Sequence, residues 1–226
     1  MSPETRLNKH LALALGVSRR EADDIIASGV VTIDGAPVQM GARVSEANVV
    51  AINGKPLNAA PSHEYIAFNK PVGYVCSRKA QGENPTIYDL LPKRMSTLKP
   101  VGRLDKDSSG LLLLTNDGDF AHTMTHPKFM KVKTYIVTLT SPLEPLHQQM
   151  IADYGVEIGD GASKLALERM DDDRMEWTVT MSEGRNRQIR RTFAALGYEV
   201  ATLHRTGFGA FVLGDLPAGK TSIVSP

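Results

Sequence analysis

In the run GRLDKDSSGLLLLTNDGDF, residues 102–120, two aspartates and two serines stand ahead of a glycine and four leucines. Carboxylates so placed have three possible uses. Asp105, Asp107, Ser109 and Gly110 imitate the first half of a calcium loop, D-x-[DN]-x-[DN]-G, which ends on a bidentate Glu. That last ligand would fall at Asn116, and the flanks are a short polar run and a leucine strand rather than two helices, so calcium is disfavoured. The second use is an ordinary exposed turn before a buried strand. The third is a catalytic aspartate presented by that turn, and a carboxyl with a reference pKa of about 3.9 is anionic at neutral pH without special tuning. Residue types alone leave the last two open.

Other constellations are weaker. His122 and His126 have a metal-binding spacing, but HTMTH lacks the Glu of HExxH and no third ligand is evident, so a plain helix surface and no metal are expected. GFG at residues 207–209 is too short for a phosphate loop. Basic residues recur in clusters that a net charge of +1 conceals: Arg6, Lys9, Arg19 and Arg20; then Lys128, Lys131 and Lys133; then Arg185, Arg187, Arg190 and Arg191. Any one cluster reads as a solvated face. Several together suggest an anionic partner.

These residues need elements to hold them. RLNKHLALAL closed by Gly16 has helical character, and SRREADDIIASG opens with a Ser18/Glu21 capping box and ends at Gly29. VVTIDGAPV and VVAINGKPL place Asp34-Gly35 and Asn53-Gly54 between apolar residues, which predicts tight turns between short strands. NAAPSHE, residues 58–64, reads as a linker, which predicts domains at 1–60 and 61–226. Beyond it, YIAFNK reads as an alternating strand stopped by Pro71, LLLLT as a buried strand, and TYIVTLT and MEWTVTMS as β-rich runs. Helices are predicted over 119–126, over 141–154 with a Ser141/Glu144 box, and over 186–196. Strands and helices do not alternate regularly, so the fold class expected is α+β with a mixed, largely antiparallel sheet and flanking helices.

At 226 residues, 42% hydrophobic and 23% charged, the chain can bury one good core and a smaller one. No apolar run approaches the roughly 18 residues of a membrane span, and the polar start MSPETRLNKH predicts no secretory leader, so a cytoplasmic location is expected. Cys76, the single cysteine, has no partner for a disulfide or a CxxC site and reads as a buried, inert thiol.

The stretch VGRLDKDSSGLLLLTNDGD resembles the signature of the RsuA-type pseudouridine synthases of the small and large ribosomal subunits, whose catalytic aspartate lies in GRLD. FNKPVG at 68–73, KTY at 133–135 and EGRNRQIRR at 183–191 agree in order and spacing. The first 60 residues resemble the S4 RNA-binding module of that family. The resemblance implies Asp105 as catalytic aspartate, Arg190 of QIR as its guanidinium partner and Tyr135 as a ring stacked on the target base. It also implies RNA contacts by Arg6, Lys9, Arg19 and Arg20 in the module and by Arg103, Arg185, Arg187 and Arg191 in the catalytic domain. On the helix expected from 186, Arg187, Arg190 and Arg191 would share one face. The activity implied is isomerisation of uridine in ribosomal RNA, free or in an assembly intermediate, by a monomer with no metal or organic cofactor. NPTIYDLLP, residues 84–92, and the fused S4 module resemble the large-subunit branch, so 23S RNA is the expected substrate, with 16S RNA or a non-catalytic assembly role as alternatives.

Overall fold

The computed structural model describes residues 4–58, 61–78 and 82–226, which divide into two compact units, Met1–Glu64 and Tyr65–Pro226. Residues 59 and 60 of the expected linker lie outside the described set.

In the first unit, helix Leu7–Leu15 ends at Gly16, whose φ of 69° is left-handed and whose N–H donates to the Ala12 carbonyl. Helix Arg19–Ala27 carries the reciprocal box: Glu21 N–H donates to Ser18 Oγ, and Ser18 N–H to Glu21 Oε2. Both helices bury one face, Leu7, Leu11, Ala22 and Ile26, against Val31, Val44 and Val50. Those valines belong to short antiparallel strands, and the Asp34-Gly35 and Asn53-Gly54 turns have φ of 51°/82° and 48°/74°. Such paired positive values are why Asp-Gly and Asn-Gly suit the turns. Arg6 departs from expectation: it lies in strand Thr5–Arg6, paired with Arg43–Val44, rather than on the first helix.

The second unit is built on one sheet whose central path runs Ala166–Arg169, Glu176–Met181, Lys133–Leu139, Val200–Phe208, Ser109–Thr115, Tyr65–Lys70, Thr221–Ile223. Every neighbour pair is antiparallel except Val200–Phe208 with Ser109–Thr115. The four leucines become intelligible here. Leu112 and Leu114 enter a large core with Phe68, Trp177 and Phe193, while Leu111 and Leu113 enter a smaller one with Val101, Met124 and Phe208. A continuous apolar run is what a strand covered on both faces requires. The same holds for Tyr65–Lys70, which does not alternate: residues 66–70 are all buried, because the strand is paired on both edges and packed on both faces.

Three predicted helices differ in their bounds. The one near 119 is Gly118–Thr125, capped by Asp117, whose carboxylate accepts from Asp119 and Phe120 N–H. The one near 141 starts only at Pro145, runs to Gln149 and widens over Met150–Tyr154, with no Ser141/Glu144 box. Pro145 prefers the first turn, where its missing N–H costs nothing, and so sets the start. The third is Gln188–Ala194, because Arg187 has a φ of 47° and stands outside it.

Candidate active site

Asp105 lies on a loop between strands Lys99–Val101 and Ser109–Thr115, its side chain about a third exposed. What holds the loop is Lys70. This lysine is fully buried, and its Nζ donates to the carbonyls of Asp105 at 3.0 Å, Ser108 at 2.7 Å and Pro71 at 3.0 Å. Three carbonyls satisfy all three donors of an ammonium, which is how the charge is tolerated without a carboxylate contact. Burial pushes Lys70 below the usual lysine value, opposed by Cys76, Asp105 and Asp107. Two further contacts fasten the loop: Gly73 N–H donates to Lys106 O at 2.7 Å, and Cys76 Sγ donates to Leu104 O at 3.3 Å. Burial raises the Cys76 thiol, consistent with an inert group. The sequence marked FNKPVG as a motif but did not identify Lys70 as the loop's anchor.

Gly110 follows the loop and lets the next strand approach its neighbour. It is not in the turn but within strand Ser109–Thr115, at the parallel contact with Arg205, with a φ of 102°. A Cβ there would stand 2.2 Å from the Arg205 carbonyl oxygen, so only glycine allows the strands to meet.

The arginines are sorted by carboxylates rather than by helix face. Arg187 makes a two-pronged pair with Asp107, at 3.0 and 2.8 Å, and brings Nη1 within 3.6 Å of Asp105. Arg190, expected on Asp105, instead places Nε 3.2 Å from Asp107 Oδ2 and donates to the carbonyls of Asp107 and Val200. The guanidinium that reaches the Asp105 carboxylate is therefore that of Arg187. Its position outside the helix explains the exchange, since the left-handed residue swings its side chain toward the loop. Hydrogen bonding from Arg187 is the chief reason Asp107 lies below the usual carboxylate range, and this pairing occupies what would be a second calcium ligand. Arg191 points elsewhere, to Asp160 at 2.8 Å and to the Ile158 carbonyl. Arg185 joins it there, bonding Asp160 at 3.1 Å and the carbonyls of Gly161 and Ala162. Gln188, buried between Ser163 and Glu183, pins the helix start.

A cavity of about 500 Å³ collects these parts: Asp105, Tyr135, Arg103, Arg185 and Arg187 line it, together with Lys131, Lys133 and Arg205. That size suits a nucleoside-scale ligand. Tyr135 is 8% exposed, on the strand beside Arg205. Arg103 is exposed, and among the described residues it makes no hydrogen bond or ion pair within the protein. Arg190 and Arg191 are not among the lining residues. Arg6, Lys9, Arg19 and Arg20 belong to the other unit, where the three arginines are exposed and Lys9 is half-buried. His122 and His126 are exposed, with rings 4.7 Å apart. Missed by the sequence reading were Lys70, whose motif was visible, and Arg205, which had no signal beyond a charged residue in a β-rich run.

Residues 64–195 match the family model described as RNA pseudouridylate synthase. Among curated proteins, the chain is 38% identical over 214 residues to the ribosomal small subunit pseudouridine synthase A of Pasteurella multocida, covering 93% of this chain and 91% of that one. It is 38% identical over 221 residues to the protein of the same name from Escherichia coli, covering 95% and 94%. A solved structure titled as a pseudouridylate synthase superposes with a TM-score of 0.69 at 34% identity, covering 97% of this chain and 96% of that one. These names favour the small-subunit alternative and lend no support to the lean toward the large subunit. Part of the basis for that lean, NPTIYDLLP, is a packing element: Ile87 and Leu91 enter the core, Tyr88 donates to Leu98 O, and Thr86 and Asp89 cap a short 3-10 turn. Match, relatives and superposition agree, and the chain belongs to the RNA pseudouridylate synthases, enzymes that isomerise uridine within RNA.

Proposed function

We propose that this enzyme converts a specific uridine of small-subunit ribosomal RNA to pseudouridine, with Asp105 as the catalytic carboxylate. The observation that carries the reading is Asp105, part-exposed at a nucleoside-sized cavity beside Tyr135 and Arg187, in a chain similar end to end to small-subunit synthases. The reaction breaks the N1–C1′ bond, turns the detached base and joins C5 to C1′, with no net redox change. An ionised carboxylate can attack or deprotonate the sugar, or add to the base. Arg187 orients the Asp105 carboxylate, and Arg190 holds the loop by binding both the carbonyl and the carboxylate of Asp107. Tyr135 supplies a ring for the base. The target uridine must leave its stack to enter the cavity, and Arg103, exposed and among the lining residues, meets a backbone phosphate in this reading.

The Met1–Glu64 unit, S4-like in its paired helices and hairpins, grips structured RNA through Arg6, Lys9, Arg19 and Arg20. Such contacts set register rather than read bases. The test is a pseudouridine map of small-subunit RNA, free and in assembly intermediates, treated with purified protein. One uridine should convert with wild type and none with Asp105→Asn. Conversion by Asp105→Asn would sink the assignment of Asp105, and conversion only in large-subunit RNA would sink the substrate.

A further inference from the structure

Arg205 lines the same cavity as Asp105 and Tyr135, yet is only 2% exposed. The registers place it between the strand of Tyr135 and the strand that leaves the Asp105 loop, opposite Tyr135 on one side and Gly110 on the other. Its Nε donates to Leu111 O at 2.8 Å, and its guanidinium lies 4.9 Å from the Phe208 ring centre. Nη2 is buried with no hydrogen-bond partner, and among the described residues no carboxylate pairs with the group. Lys133, also at the cavity, puts Nζ 5.5 Å from the same ring and donates to Glu183 O at 2.8 Å. Burial first, and the Arg205 charge second, push the Lys133 ammonium below the usual lysine value.

Removing a guanidinium from water costs much more than one carbonyl bond and a ring face return, and buried arginines are ordinarily matched to a carboxylate. Here two cations share one ring, the Asp105 carboxylate of the same cavity is already met by Arg187, and an anionic occupant would supply the missing countercharge.

We propose that Arg205 stabilises the negative charge that the uracil ring acquires during the reaction. The inference rests on the reading that this cavity holds the target uridine. When the N1–C1′ bond breaks, its electron pair stays on N1 and the base becomes an anion, delocalised onto O2 and O4. The anion is discharged when C5 bonds to C1′, with Asp105 released from C1′ as a carboxylate or giving back the sugar proton it took; N1 then gains a proton as the C5 proton departs, and the base ends neutral. If Asp105 instead adds to C6 first, the C5–C6 electron pair moves through C4 onto O4, so the base is anionic on that route as well. A fixed positive charge in a water-poor wall lowers the energy of either species, since it needs no reorganisation as the charge appears. Arg205 acts through its field, because Nη2 is closed to solvent.

The test compares two short RNAs spanning the mapped uridine, one with uridine there and one with 5-fluorouridine, whose base is more acidic and carries negative charge more readily. Loss of the starting nucleoside is followed in single turnovers. Arg205→Gln should slow the uridine RNA by about 100-fold and the 5-fluorouridine RNA by about ten-fold or less, with RNA affinity unchanged within about two-fold. Arg205→Lys should keep most of the rate and gain an alkaline limb that wild type lacks, because an ammonium can lose its proton where a guanidinium cannot. Equal losses on both RNAs, or a loss under about two-fold, would overturn the proposal. If Arg205→Gln does not fold by circular dichroism, Arg205→Lys decides, and a pH profile matching wild type overturns it. A wild-type enzyme active on RNA but insensitive to Asp105→Asn would point to failure of the cavity reading itself.

Discussion

Arg6 and Arg20 of the first unit present exposed side chains, whereas each of Arg185, Arg187, Arg190 and Arg191 in the second reaches at least one carboxylate oxygen or carbonyl. What separates them is the supply of acceptors: Asp107 collects Arg187 and Arg190, and Asp160 collects Arg185 and Arg191. A guanidinium whose donors are already engaged organises a loop, and one that faces water is available to phosphate. That difference in engaged donors is what supports the proposed division between an RNA grip in the first unit and a site built by the second.

Glycine substitutions should show the largest difference between the units. Gly110→Ala must force a Cβ against the Arg205 backbone at a φ of 102° and should cost more than about 3 kcal/mol or prevent folding. Gly35→Ala, with open space around a φ of 82°, should cost only about 1 kcal/mol, as read by urea denaturation. Similar losses would mean that the close approach of the parallel strands is not a constraint.

Asp107→Ala comes next. Removing the shared acceptor of Arg187 and Arg190 should lower kcat by on the order of 100-fold through misplacement of the site, while RNA affinity holds or rises slightly. A fall in affinity with kcat intact would show the second cluster to be a phosphate grip after all. Arg6→Glu combined with Arg20→Glu should do the opposite. Affinity for structured RNA should weaken by about ten-fold at low salt and less at high salt, with kcat on a short substrate near wild type. A salt-independent effect would argue against the first cluster as the grip.

The smallest expected effect is on stability against pH. Asp107 is held below its ordinary value, chiefly by the Arg187 hydrogen bonds, so its contribution is complete above the usual carboxylate pKa of about 4 and is lost as pH falls through the depressed value. Wild type should therefore exceed Asp107→Asn in stability at pH 7, with the gap closing toward pH 2 in parallel urea titrations. Because the Asp107 side chain is nearly half exposed, solvent screening keeps the gap small. A gap that widens in acid would remove the ion pair from the account.

Local signals were legible where local physics decides. The Ser18/Glu21 box, the glycine that ends the first helix and the two positive-φ turns each depend on residues within a few positions of one another. The strand of leucines was legible for a related reason, since only a doubly covered strand tolerates such a run. Misreadings came where a distant partner overrides spacing. Helical periodicity put Arg187, Arg190 and Arg191 on one face, but the left-handed backbone at Arg187 and the carboxylates of Asp107 and Asp160 divided them. Lys70 looked like one position in an alternating strand until the carbonyl of its neighbour Pro71 and two from the distant Asp105 loop closed around it.

By itself the sequence determined the motif set, the family it resembles and the singling out of Asp105, because those depend on residue identity and order along the chain. Which guanidinium meets Asp105, why residue 110 must be glycine, and how an arginine beside the cavity comes to be buried with no carboxylate partner among the described residues were decided by tertiary structure alone. Each of these depends on contacts between strands or loops far apart in sequence, and neither spacing nor composition encodes such distances.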